Sequence, residues 1–151
     1  MSVAPEIARL AEAVLLVSPE PATTRANRRR PDQETAGPLT LGALSRELRA
    51  IASAPERWWG LVRFERDRSV TIMVEERASY SAWLVVLPPG DPGQVCDCEV
   101  ATVIAGEATE GTGSGAVLRP GPVRVHGGRH GLRGQGAGYS ISLHARAHRP
   151  H

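Results

Sequence analysis

A mainly β domain, a small antiparallel barrel or sandwich behind two N-terminal helices, is what the sequence predicts, and three observations carry it. Short apolar runs recur from Trp58 onward: GLVRF, SVTIMV, YSAWLVVL, VATVIAG, AVL, VRV and YSISLHA. Turn signals separate them, namely RDR, EERAS, PPGDPGQ, EGTGSG, RPGP and HGGRHG. Helical periodicity is confined to the N-terminal part of the chain. Short strands at this spacing after leading helices read as a sandwich or barrel.

Taken in order, residues 5–17 place Ile7, Leu10, Ala11, Val14 and Leu15 at helical spacing, an amphipathic helix. Residues 18–38 hold four prolines, almost nothing apolar, and the run Arg28-Arg29-Arg30. That composition predicts an unstructured linker, and a charge run of this kind is read as a solvated face. Thr40 is placed to cap a second helix over about 40–54, with Leu41, Leu44, Leu48 and Ile51 on one stripe and Pro55 as the stop. The expected organisation is a helix at 1–17, a linker at 18–38 and a β domain at 39–151. In the last strand, Tyr139, Ile141, Leu143 and Ala145 face one way, and Ser140, Ser142, His144 and Arg146 the other.

Composition narrows the classes. A chain of 151 residues, 41% hydrophobic and 23% charged, is one ordinary globular domain. All basic side chains are arginines and the net charge is only +2, too mild an excess to indicate nucleic acid. Two cysteines make no disulfide framework and fit a reducing compartment. The opening APEIARLAEAVLLV is broken by Glu6, Arg9 and Glu12, and no apolar run reaches membrane-spanning length. The expectation is a cytoplasmic, monomeric protein without a membrane or nucleic-acid partner.

One stretch carries the chemistry: Trp83 to Gly106, WLVVLPPGDPGQVCDCEVATVIAG. Its Cys96-Asp97-Cys98 puts two thiols at alternate strand positions, on one face. The block from Trp58 to His144 resembles the cysteine dioxygenase family of thiol dioxygenases, which are small cupin β-barrels. Trp83-Leu84, Pro89-Gly90 and Cys96-Asp97-Cys98 fall where its bacterial members read tryptophan-leucine, proline-glycine and His-Asp-His. Gly106 with EATE is similar to its glycine-then-acidic hairpin, LRPGPVRV to the lead-in of a later strand, Gly128-Arg129-His130 to the segment with the third ligand, and Ser142-Leu143-His144 to its closing serine-leucine-histidine.

The resemblance implies a cupin-type barrel over about residues 58–146, with the helix at 40–54 against its outside. In the family, three histidines hold one Fe(II), and a thiol and O2 meet there to give a sulfinate. An arginine grips the substrate carboxylate, and a serine-histidine-tyrosine relay orients the complex. Here Cys96 and Cys98 stand at two ligand positions, and only His130 remains of the three. Met73 stands at the arginine position, with Arg68 and Arg77 off register. Ser142 and His144 keep the relay, but Arg146 takes the tyrosine's place. Between Cys98 and Gly106 the chain is about four residues shorter than the family pattern, an even change that preserves strand alternation.

Cys96, Cys98 and His130 therefore admit two readings. They are buried thiols filling space beside a remaining histidine, or a thiolate site that favours zinc or copper over Fe(II). A disulfide is disfavoured, because alternate Cβ atoms on a strand stand about 6.6 Å apart. His144 reads as a relay remnant or a satisfied core histidine. His126 is a turn histidine that fits solvent better than a ligand role, and His148 and His151 sit in a polar tail. Trp58, Trp59 and Trp83 read as core aromatics, and Glu107 and Glu110 as isolated acids. Two functions stay open: a thiol dioxygenase-type enzyme with an altered centre acting on cysteine or a related small thiol, and a non-catalytic cupin for ligand binding or regulation.

Overall fold

The computed structural model describes residues 39–91, 93–111, 116–126 and 129–150. The helix expected at 5–17, the segment 18–38 with its arginine run, Gly128 and His151 lie outside the described residues.

Helix α1 runs Leu41–Ala52, and Thr40 caps it by accepting the Ala43 N–H at 3.2 Å. Leu44, Leu48 and Ile51 form its buried stripe, while Leu41 is exposed at the free end. Two short 3-10 turns follow, Pro55–Arg57 and Trp59–Leu61. Trp58 between them is buried and donates its indole N–H to the Ile51 carbonyl at 3.0 Å. The expected GLVRF strand does not form. Its start is in the second turn, its remainder has no ladder partner among the described residues, and Phe64 packs edge-on against Tyr139 at 5.0 Å.

Nine strands follow among the described residues: β1 Val70–Glu76, β2 Tyr80–Leu87, β3 Gln94–Cys96, β4 Val100–Ala105, β5 Glu107–Glu110, β6 Val117–Leu118, β7 Arg124–Val125, β8 His130–Gln135 and β9 Ser140–Ala147. They form two sheets, in the orders β1-β2-β9-β4-β7 and β3-β8-β5-β6, with every ladder antiparallel. The mainly β, two-sheet fold class predicted from the strand pattern is what the chain adopts. β8 escaped the sequence pattern because Gly131 and Gly134 interrupt its apolar character.

Registers decide which residues meet. Across β2 and β9, Leu84 pairs with Leu143 and Val86 with Ile141, while Trp83 pairs with His144 and Val85 with Ser142. The Leu84–Leu143 face lies under α1, which packs on β4 and β9. The Trp83–His144 face looks at the other sheet. Between the sheets, Val85, Leu87 and Val103 pack against Ala108, Leu118 and Leu132. β9 is thus buried on both faces except at Arg146. Its polar alternate positions cannot be a solvent face.

Gly106 joins β4 to β5 in the left-handed region, φ 73°, and a Cβ there would lie 2.3 Å from the Tyr139 carbonyl oxygen. Both facts demand glycine. Gly106→Ala is expected to lower stability by about 2–4 kcal/mol, read as a fall in the urea midpoint. A change under about 0.5 kcal/mol, within ordinary surface-substitution scatter, would show that the junction is not under this constraint.

At the outer edge, Glu75 accepts from Tyr80 at 2.8 Å and pairs with Arg57 and Arg77. Burial pushes its carboxyl upward, but the hydrogen bonds from Arg77 and Tyr80 and the Arg57 charge hold it below the usual carboxylate range. A carboxylate depressed in the folded state stabilises above its unfolded pKa, and this is lost as pH falls through the folded value. Glu75→Gln should cost about 1 kcal/mol at neutral pH, with the deficit vanishing in acid. A pH-independent deficit would assign the loss to packing.

Candidate metal centre

β3 and β8 are ladder neighbours, and Cys96 stands directly opposite His130. β3 ends at Cys96, so Cys98 lies beyond the strand rather than two places along it. The two sulfurs nevertheless approach to 3.0 Å as free thiols. Both are buried, while Asp97 between them faces solvent and takes the Arg146 guanidinium at 3.0 Å. Arg146, at the relay tyrosine's position, points away from the thiols.

His144 organises the cluster from β9. It is 0% exposed, and its Nδ1 lies 3.1 Å from Cys96 Sγ and 3.2 Å from Cys98 Sγ. Its Nε2 meets Ser142 Oγ at 2.7 Å, and its ring lies near-parallel to Trp83 with centroids 6.0 Å apart. His130 Nε2 stands 3.7 Å from Cys98 Sγ. One ligand atom each from Cys96, Cys98 and His130 lies within 4.8 Å of the others, a possible metal-binding group.

The hydrogen bond with Cys98 holds the Cys96 thiol far below the usual thiol range against opposing burial, with the His144 ring assisting. The same contact, together with burial, pushes Cys98 upward. One contact thus drives the two thiols in opposite directions. A cation held between the sulfurs would bind them as thiolates, the form that takes soft metals.

His126 departs from expectation. It is 8% exposed rather than solvated, its Nδ1 stands 2.6 Å from Glu110 Oε1, and its ring stacks on His130 at 3.8 Å. Its backbone N–H donates to the Glu99 carbonyl at 2.8 Å, which fixes the turn. Burial, with the neighbouring His130, holds its imidazole below the usual range although Glu110 opposes the shift. The contact lies within hydrogen-bond reach. Glu110 is likewise no isolated acid. Neither was visible in the sequence, because the two lie on separate segments.

A cavity of about 190 Å³ opens beside the cluster, lined by His126, His130, His144 and Ser142, an apolar wall including Val103 and Leu132, and the arginines Arg119 and Arg124. Arg119 and Arg124 stand 3.3 and 3.7 Å from Glu107 and Glu110. Met73 pairs with Trp83 at the sheet edge and is 51% exposed, whereas Arg68 and Arg77 pair with Glu65 and Glu75 on the surface. The arginines that line the cavity are therefore Arg119 and Arg124, not a residue at or near Met73.

The fold is mainly β and built of two antiparallel sheets, and its neighbours among solved structures include cupin-domain proteins. Among solved structures the chain is similar to the TT1209 protein of Thermus thermophilus, at 28% identity and TM-score 0.50, over 61% of this chain and 94% of that one. It is also similar to a protein with a double-stranded β-helix domain from Klebsiella pneumoniae, at 24% identity and TM-score 0.46, over 57% and 82%. A cupin domain from Bordetella pertussis aligns at 14% identity and TM-score 0.45, over 58% and 100%. No protein-family model and no curated protein matches the chain. Nothing in these likenesses is specific to cysteine dioxygenases, so the resemblance stands at the level of fold. No helix among the described residues is long and apolar enough to cross a membrane.

His144→Ala removes a buried ring bonded at both nitrogens and orphans Ser142. It should destabilise metal-free protein by about 2–4 kcal/mol in chemical denaturation. A loss below about 1 kcal/mol, less than a core cavity alone costs, would show that the ring is structurally dispensable.

Proposed function

We propose that this domain is a metal-binding cupin that has exchanged oxygenase chemistry for a thiolate centre, holding Zn(II) or Cu(I) on Cys96, Cys98 and His130. The observation that carries the reading is the convergence of both sulfurs with an imidazole inside the barrel. Sulfur donors favour these ions over an exchangeable Fe(II), which suits imidazole and carboxylate. His144 orients the thiols through Nδ1, and Ser142 fixes the tautomer of that ring through Nε2. The bound ion would supply Lewis acidity and an open position toward the cavity. A small polar ligand of amino-acid size, including a small thiol, is the guest that the cavity dimensions and its arginines support. A dithiol of this kind persists in a reducing compartment, in keeping with a cytoplasmic location.

A second reading, a thiol dioxygenase with altered substrate, is favoured by the Ser142–His144 pair at 2.7 Å. Against it stand the sulfur donors and the absence of an arginine at Met73.

Purified protein is expected to carry zinc or copper, partly occupied, with little iron, and Cys96→Ser or Cys98→Ser should weaken binding at least tenfold. Iron at one per chain that is lost in Cys96→Ser would overturn the proposal. Oxygen uptake with free cysteine should equal that of a metal-stripped control; clear turnover would establish the dioxygenase reading instead.

A further inference from the structure

His130 belongs to two groups. Besides the thiols, Glu110 at the end of β5, His126 after β7 and His130 at the start of β8 bring a carboxylate and two imidazoles together, with one ligand atom from each within 4.8 Å of the others. We propose that these three residues form a second cation site, a two-imidazole, one-carboxylate set for a divalent first-row transition ion such as Co(II) or Ni(II), with harder donors than the thiol pair.

Two features support it. The His126 and His130 rings lie side by side with centroids 3.8 Å apart, and His126 is only 8% exposed, so the group is walled off from bulk water. Glu110 Oε1 already sits 2.6 Å from His126 Nδ1, close to the separation of two donors on one small ion. Nitrogen and oxygen donors in this ratio suit borderline divalent ions, whereas the thiol set is soft. The opposing feature is Arg124, whose charge lies near the carboxylate. It stands 3.7 Å from Oε2 and its side chain is 45% exposed, so it is free to swing into water.

This site does not depend on the thiolate reading, and one titration separates the two. Metal-free full-length protein is titrated with Co(II) by calorimetry and absorbance, in the wild type and in Cys96→Ser/Cys98→Ser. The double variant is expected to bind about one Co(II) without a thiolate charge-transfer band. Adding Glu110→Gln or His126→Gln to it should weaken that binding tenfold or more, the scale on which ligands and their immediate supports act. Circular dichroism verifies folding, and Cys96→Ala/Cys98→Ala replaces the serine pair if that chain does not fold. A folded thiol-free chain that binds no Co(II), or one whose affinity survives both added substitutions, overturns the second site. A thiolate band in the wild type beside a silent double variant leaves only the thiol centre. Binding in the double variant with no band in the wild type retains the second site and removes the thiol one.

Discussion

A buried histidine with no access to water must find partners for both ring nitrogens inside the protein, and much of the interior is arranged around how His144 does so. β9 lies between β2 and β4 in its sheet, so His144 has Trp83 on one neighbouring strand and Ala101 on the other. Neither offers a hydrogen bond. The partners come from its own strand and from the opposite sheet, Ser142 for Nε2 and both thiols for Nδ1. The polar line through the barrel is therefore continuous, and losing one member strands another in low dielectric.

That line explains why two cysteines can stand where the resemblance has histidines. A thiol is smaller than an imidazole and behaves as a compact apolar side chain, so the exchange leaves the packing between the sheets intact. The consequence is electrostatic. The contact between the sulfurs, with His144 beside it, pushes the two thiols in opposite directions. Two sulfurs are softer donors than two imidazoles.

The β8 side of the cavity is organised by different forces. Glu110, His126 and His130 gather because β5 and β8 are ladder neighbours and because the Glu99 carbonyl pins the turn carrying His126. Two short strands, β6 and β7, of two residues each, also line the cavity. Such strands tolerate change that β2 and β9, buried on both faces, would not.

Much of the architecture was legible in local pattern. Helix α1 announces itself by Thr40, Pro55 and the spacing of Leu44, Leu48 and Ile51. β2 announces itself as a continuous apolar run and β9 by alternation, because one-dimensional pattern records which sides of an element are apolar. The pairing of Cys96, Cys98, His130, Ser142 and His144 was legible through resemblance. β8 was not, because its glycines erase the period, and neither was the unpaired GLVRF segment, whose apolar residues serve 3-10 turns. What only the tertiary structure decided is distance between segments. The 3.0 Å sulfur approach depends on His144 reaching both thiols from the other sheet, and the burial of His126 goes with Glu99 and Glu110 meeting it across the chain. Local sequence sets backbone preference and the side a residue faces. Which donors meet is set by strand register and by where strands stop, and these are properties of the whole sheet.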